Sequence, residues 1–236
     1  MSMSDRVAIN YLHTFLARHP SRLFKKKEII VFQGEAPRFA YIVKSGTVKA
    51  YNLSVNGDEK PVAFYEADSV FPASWVYGKT ASATYYYEAF TPSVEVYAIE
   101  RQEFVDFIKR RPELLYLQME QLLNEQLGSS IRLNALQHSR ASDKLIYTLH
   151  YLSLSHGRPA TGDKIELTLE LTHQDLANLT GLTRETAATE LNKLKKQGII
   201  EYGKHTPYRL DVARLMRMLN DEFIADLQFT SLVISA

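Results

Sequence analysis

Between residues 172 and 200 the chain reads Thr172-His173-Gln-Asp175-Leu-Ala-Asn-Leu-Thr-Gly181-Leu-Thr183-Arg184-Glu185-Thr-Ala187-Ala188-Thr189-Glu-Leu191-Asn192-Lys193-Leu194-Lys-Lys196-Gln-Gly198-Ile-Ile. Thr172 is placed to cap a helix, with Asp175 three residues on, and Gly181 follows as its C-terminal cap. Thr183 caps a second helix that Gly198 ends. Two short helices joined by a glycine-containing link predict a helix-turn-helix. On a helical wheel of the second helix, Ala187, Leu191 and Leu194 fall on one side and must face a core. Glu185, Thr189, Asn192, Lys193 and Lys196 lie opposite, with Arg184 and Ala188 at the border. Arg can give two hydrogen bonds to guanine and Glu can accept from cytosine, while lysines towards the helix end meet phosphates. The plain alternative is a solvated amphipathic hairpin in any helical domain; caps, link and polar face together favour a major-groove reader.

Charge totals add little. The 236 residues carry a net charge of +1, 45% hydrophobic and 23% charged residues, an ordinary soluble composition. From Thr172 to Arg209 there are six cations (Arg184, Lys193, Lys195, Lys196, Lys204, Arg209) and four acids (Asp175, Glu185, Glu190, Glu201). An excess of two is mild, so the case for DNA rests on where those charges point. Cysteine is absent, which excludes disulfides, thiolate metal sites, cysteine-ligated iron–sulfur clusters and cysteine nucleophiles, and fits a cytoplasmic location. No apolar run is long enough for a membrane span and the first residues do not read as a signal peptide, so no membrane partner is expected.

Working outward, three regimes precede the hairpin. Residues 5–18 read as a short helix with Val7, Tyr11 and Phe15 on one side. From about 22 to 100, short alternating segments such as Thr47–Tyr51 and Val94–Ala98 are separated by turn residues, with Asn56-Gly57 a strong hairpin signal. Many short strands at this spacing indicate a sandwich or barrel. A helix is expected over Glu100–Lys109, and a longer one from Pro112 to about Gln137. In the latter, Leu115, Met119, Leu122, Gln126, Ser129, Leu133 and Leu136 follow a 4-3-4-3-4-3 spacing. That is a coiled-coil seam over roughly 37 Å of helix, predicting a homodimer whose polar middle fixes register or meets a ligand. A helix packed only on its own domain is the plainer reading. Leu123, Leu127 and Ile131 form another flank able to pack on the β-domain. After a hinge at His138–Ser142 come a helix from Ala141 to about Ser155, a break at His156-Gly157-Arg158-Pro159, a strand over Ile165–Leu171, the hairpin, two strands, and a last helix from Asp211. The expected domains are 1–111, 112–138 and 139–236.

Arg184-Glu185-Thr186, followed by Leu191, Leu194 and Gly198-Ile199-Ile200, resembles the recognition helix of the cyclic-AMP receptor protein / FNR (Crp/Fnr) family. Phe32-Gln33-Gly34-Glu35, Ile42-Val43-Lys44-Ser45-Gly46, Asn56-Gly57 and Asp68 are similar to that family's β-roll landmarks, in the right order over roughly residues 20–212. The resemblance implies an α+β chain. Its N-terminal half would be a cyclic-nucleotide-binding-like β-roll (jelly roll), followed by a long dimerisation helix and a C-terminal winged helix-turn-helix. It implies a homodimer on a near-palindromic double-stranded DNA operator, with RNA polymerase as a further partner. The wing would be Ile199–Leu210, with His205-Thr206-Pro207 at its tip. The expected DNA-binding set is Thr183, Arg184, Glu185, Ala188, Thr189, Asn192, Lys193 and Lys196, with Thr172 and His173 from the first helix and Lys204 and His205 from the wing. Thr189 stands where family members often place a second Arg, so one operator position should be read differently.

The family's cyclic-nucleotide cassette, with its Gly-Glu and later Arg-Ser, is missing. The corresponding residues are Ser69-Val-Phe71-Pro72-Ala-Ser-Trp75 and Ala83-Thr84-Tyr85-Tyr86-Tyr87, and no Arg lies between Arg38 and Arg101. A phosphodiester in a pocket needs a charge-assisted partner, preferably a guanidinium; cyclic AMP binding in the usual manner is not expected. Haem and iron–sulfur cofactors are not expected either, with no Cys and no His between His19 and His138. The segment offers aromatics instead, which read first as a mixture of core and surface strand residues. The sharper expectation is an apolar effector site drawing on Trp75, Tyr77, Tyr85, Tyr87, Gln126, Ser129 and Ser130, for an uncharged or aromatic effector or a peptide-like thiol, or regulation with no effector. No metal site is expected. An enzyme is not indicated: G-x-S-x-G, H-E-x-x-H and G-x-G-x-x-G are absent, and Gly157–Asp163 has Walker spacing but Asp where the Lys belongs. The alternative function is a regulatory module acting on a protein partner without DNA. Effector or seam repacking near Gln126–Ser130 would shift the population towards one setting of the recognition helices.

Overall fold

The computed structural model describes residues 3–203 and 206–218. The chain forms two compact units, Met1–Leu123 and Asn124–Ala236, and the division falls within the long helix rather than at its ends.

The first unit begins with α1 (Met3–Leu16), followed by β1 (Ser21–Lys25), β2 (Ile29–Val31), β3 (Ala40–Ser45), β4 (Val48–Leu53), β5 (Glu59–Tyr65) and β6 (Val70–Phe71). A short α2 (Ala73–Val76) leads to β7 (Tyr86–Ala89), β8 (Ser93–Ile99) and α3 (Arg101–Lys109). The strands form two four-stranded sheets, β1-β8-β3-β6 and β2-β7-β4-β5, paired antiparallel throughout. This is the expected β-roll, and Asn56-Gly57 lies in the β4–β5 turn. Alternate residues line its interior: Val48 and Ala50 of β4, Tyr87 and Ala89 of β7, Val94, Val96 and Ala98 of β8, with Tyr41, Tyr65 and Phe71. Burial of such side chains stabilises each by roughly 1.5–3 kcal/mol.

Two details depart from simple alternation. Lys49 is buried although it faces away from that interior, because its amine lies 2.5 Å from Glu59 and 3.1 Å from Glu88. An unpaired charge at that depth would be expelled; two carboxylates make it tolerable. On α1 the buried face is Ala8, Leu12 and Leu16, not Val7, Tyr11 and Phe15. Val7 is exposed, Tyr11 lies under the Arg111 guanidinium at 3.9 Å, and Phe15 stacks on Phe107 at 3.8 Å. The larger aromatics thus find partners at the margin, while the smaller side chains suit the tight contact.

The long helix, α4, runs Pro112–Gln137 as the spacing predicts. Its N-terminal part buries Leu114 and Leu117, and its C-terminal part buries Ile131 and Ala135. The heptad positions Leu115, Met119, Leu122, Leu133 and Leu136 are all exposed, as are Gln126 and Ser129. Of the second flank only Ile131 is buried; Leu123 and Leu127 are exposed instead of packed.

In the second unit α5 (Ala141–His156) is surrounded, with every residue from Leu145 to Ser153 buried. Gly157-Arg158-Pro159 does more than break α5: it is strand β9 (Gly157–Pro159), paired with β10 (Ile165–Leu167). The Walker-like Gly157–Asp163 spacing is therefore a hairpin. The strand expected over Ile165–Leu171 stops at Leu167; just beyond it the Thr168 amide and hydroxyl both donate to the carbonyl of His156, the last residue of α5. Then follow α6 (His173–Thr180), α7 (Arg184–Lys196), β11 (Ile200–Gly203), β12 (Thr206–Leu210) and α8 (Val212–Arg217). The sheet order is β11-β12-β10-β9, the winged helix-turn-helix expected from sequence. Glu166 on β10 accepts from Arg158 on β9 and Arg209 on β12, both of which hold its carboxyl below the usual range. The tail beyond Met218 lies outside the described residues.

At Gly128 a Cβ would come within 2.6 Å of the Tyr151 ring, so α4 and α5 approach as only glycine allows. In an open helix Gly→Ala stabilises by about 1 kcal/mol. Here Tyr151 is buried and held by Arg132 and Ser155, so overpacking at roughly 1–3 kcal/mol outweighs that gain. Gly128→Ala is expected to lower the thermal unfolding midpoint; a rise would show that the tyrosine yields freely.

Candidate nucleic-acid interface

Local chemistry fixes both helix starts. The Thr172 hydroxyl accepts from the Asp175 amide at 3.1 Å, and the Asp175 carboxylate accepts from the Thr172 amide at 2.7 Å, closing a capping box. Gly181 takes the left-handed conformation (φ 66°) that ends α6, and Thr183 caps α7 by accepting from the Thr186 amide. Packed on α5 and α6, α7 buries Ala187, Leu191 and Leu194 and leaves Arg184, Glu185, Thr189, Asn192, Lys193 and Lys196 exposed, with Ala188 half-buried at the border. The structure thus brings the helical part of the expected DNA-binding set onto one face.

The electrostatics of that face are uneven. Arg184 sits in the first turn, where the helix dipole disfavours a cation by a few tenths of a kcal/mol or more; it has no ion-pair partner among the described residues. Glu185 beside it is in the favourable sense, and Lys193, Lys195 and Lys196 occupy the favourable last turn. Lys193 pairs with Glu190 at 2.7 Å on an open surface, a bond weak enough to exchange for a phosphate. The Thr189 hydroxyl donates back to the Glu185 carbonyl at 2.8 Å, leaving its methyl and a lone pair outward. Asn192 accepts through Oδ1 from the Tyr202 hydroxyl at 2.9 Å.

At the start of α6, Thr172 is committed to its cap. His173 stands edge-on to the Tyr202 ring at 5.3 Å; burial, then the nearby Arg184 and Lys195, push its pKa down. Lys204 and His205 lie outside the described residues. Sequence reasoning missed Tyr202 and Lys195. Lys195 was counted only as charge, yet its amine donates to the Tyr202 carbonyl at 2.8 Å and lies 4.4 Å from that ring, joining α7 to β11. The only available signal was an aromatic at an alternating position of the wing strand.

The residues expected for an effector belong to different units. In the first, Tyr87 is part of the packed interior, 5.2 Å from Phe71 and 5.9 Å from Tyr65. Tyr85 lies 6.5 Å from Tyr87. Trp75 sits beneath the Arg101 guanidinium at 5.3 Å, and the Tyr77 hydroxyl donates to Gln118 Oε1 at 2.8 Å. In the second unit Gln126, Ser129 and Ser130 are exposed on α4, the Ser130 hydroxyl donating to the Gln126 carbonyl at 3.0 Å. Among the described residues no cluster of His, Asp or Glu could hold a metal, and no helix is long and apolar enough to cross a membrane.

Both parts of the chain are similar to known domains. Residues 143–218 match the Crp-like helix-turn-helix domain, and residues 21–111 the cyclic nucleotide-binding domain. The global nitrogen regulator of Synechocystis sp. is 30% identical over 193 residues, 79% of this chain and 85% of that protein. The regulatory protein HlyX of Actinobacillus pleuropneumoniae is 29% identical over 179 residues, 75% of this chain and 72% of that protein. Among solved structures, FixK2 from Bradyrhizobium japonicum shares the fold with TM-score 0.69 at 20% identity, covering 84% of this chain and 96% of that one. The helices α6 and α7 fall within the matched helix-turn-helix domain, and the chain belongs to the Crp/Fnr family of DNA-binding transcription regulators.

Proposed function

We infer that the protein acts as a homodimer, each subunit laying α7 in the major groove of one half of a near-palindromic operator, with RNA polymerase as the transcriptional partner in the cytoplasm. The observation that carries this reading is the bare stripe Arg184–Glu185–Ala188–Thr189–Asn192–Lys196 held from behind by three buried side chains. Arg184 reads guanine and Glu185 the cytosine of a neighbouring pair, while Lys193, Lys196, Thr172, His173, Lys204 and His205 serve the backbone. Thr183 positions the helix start. The exposed heptad seam on α4 supports dimerisation, since a run of apolar side chains left in water marks an interface. It would place the two readers one helical turn, about 34 Å, apart.

The same reading makes regulation independent of cyclic nucleotide. Its support is a segment without arginine between Arg38 and Arg101, and a β-roll interior occupied by the rings of Tyr41, Tyr65, Phe71 and Tyr87. An uncharged or aromatic effector, or none, is consistent with that chemistry. Haem, iron–sulfur clusters and metals have no place in this scheme, nor has catalysis.

Three outcomes test these statements. With an operator selected from random duplexes, Arg184→Ala should cost roughly 1–3 kcal/mol of discrimination at one base pair per half-site in anisotropy titrations. Equal loss on every sequence would make Arg184 a phosphate contact. Leu122→Asp should give folded monomers by light scattering with little operator binding, and a persistent dimer would remove the seam. His173 is held low in the free protein, whereas a phosphate beside it would favour the charged form and raise its pKa. Binding then takes up a proton, so affinity should strengthen as pH falls through the bound-state pKa, by up to about tenfold per unit. His173→Gln should flatten that slope; an unchanged slope would place the histidine away from phosphate.

A further inference from the structure

At the junction of α7 with β11 one side chain, Tyr202, meets Tyr208, His173, Lys195 and Asn192. The Tyr202 ring stacks on Tyr208 at 4.9 Å, takes the edge of His173, and has the Lys195 amine 4.4 Å from its centre. Lys195 also donates to its carbonyl oxygen. A ring contacted by three residues has little rotamer freedom, so the position of its hydroxyl is fixed by packing. Burial pushes the phenol upward, and the hydroxyl remains a donor at neutral pH. Its acceptor is Asn192 Oδ1 at 2.9 Å, on the stripe of α7 that carries Arg184 and Glu185.

An asparagine that recognises adenine uses both ends of its amide, accepting from N6 through oxygen and donating to N7 through nitrogen. When the oxygen is turned towards a tyrosine on the wing, the amide is held with its nitrogen outward. What then faces the DNA is a pair of N–H donors. We propose that Tyr202 is a specificity-determining positioning residue: it orients the Asn192 carboxamide so that the last part of the recognition stripe reads hydrogen-bond acceptors, such as the guanine edge, and discriminates against adenine. The inference rests on α7 entering the major groove.

A two-by-two cycle of Tyr202→Phe and Asn192→Ala tests it, with anisotropy titrations on duplexes carrying each base in turn through a selected operator. Tyr202→Phe keeps the ring and its stacking while removing only the hydroxyl, and circular dichroism with thermal melting checks that the unit is intact. Asn192→Ala should weaken the preferred duplex about five- to tenfold, a hydrogen bond's worth. Tyr202→Phe should cost about two- to fivefold on the same duplex and narrow the gap to the adenine-substituted one. In the Asn192→Ala background it should change nothing. Equal cost with and without the asparagine side chain, or a loss spread evenly over all duplexes, would overturn the proposal. Arg184→Ala separates the two levels of argument: if its single-pair effect is present while the cycle is additive, the groove reading stands and the orienting role falls. If no duplex is bound selectively, the groove reading itself falls.

Discussion

One 13-residue helix must be held from behind by apolar contacts so firmly that its opposite face can stay bare. The side chains that do this on α7 are Ala187, Leu191 and Leu194, fully or almost fully buried against α5 and α6. Two leucines at roughly 1.5–3 kcal/mol each outweigh the modest cost of an arginine in the first turn and of polar residues that find few partners within the domain. A local preference is broken at Arg184, and the surrounding packing makes that tolerable.

The same division recurs on α4. Leu114, Leu117, Ile131 and Ala135 are buried within the units to which they belong, while the heptad leucines remain in water. A helix with a single apolar stripe needs only one partner. This one carries more apolar residue than its own units cover, and Gly128 lets α5 approach so closely that the side facing Tyr151 is already filled. Its seam is left for another surface. Such an arrangement suits a molecule in which the long helix is both part of the core of each unit and a contact outside them.

The β-roll combines the scaffold of a cyclic nucleotide-binding domain with an aromatic interior. The family scaffold is retained over residues 21–111, but rings of Tyr41, Tyr65, Phe71 and Tyr87 occupy its interior, and the cation that is buried, Lys49, is engaged by Glu59 and Glu88. The fold fixes where a ligand would act in a relative, and the side chains decide whether any such chemistry survives.

Much of this was legible in the residues themselves. Caps such as Thr172, Asp175 and Thr183, and the turn glycines Gly181 and Gly198, act over three or four residues, so the helix boundaries and the two faces of α7 follow from spacing alone. The seam of α4 and the alternation of β4 and β8 are periodic signals of the same local kind. What depended on distant partners was hidden. The placing of Tyr11 and Phe15 at the margin of α1 turned on Arg111 and Phe107, and the burial of Lys49 on carboxylates from two other strands. The pairing of Tyr202 with Asn192 joins a wing strand to a helix ten residues earlier. Local order is set by bonds between near neighbours along the chain, whereas the orientation of a given amide, ring or amine is set by whichever groups the completed fold brings beside it. Only the tertiary structure decided those.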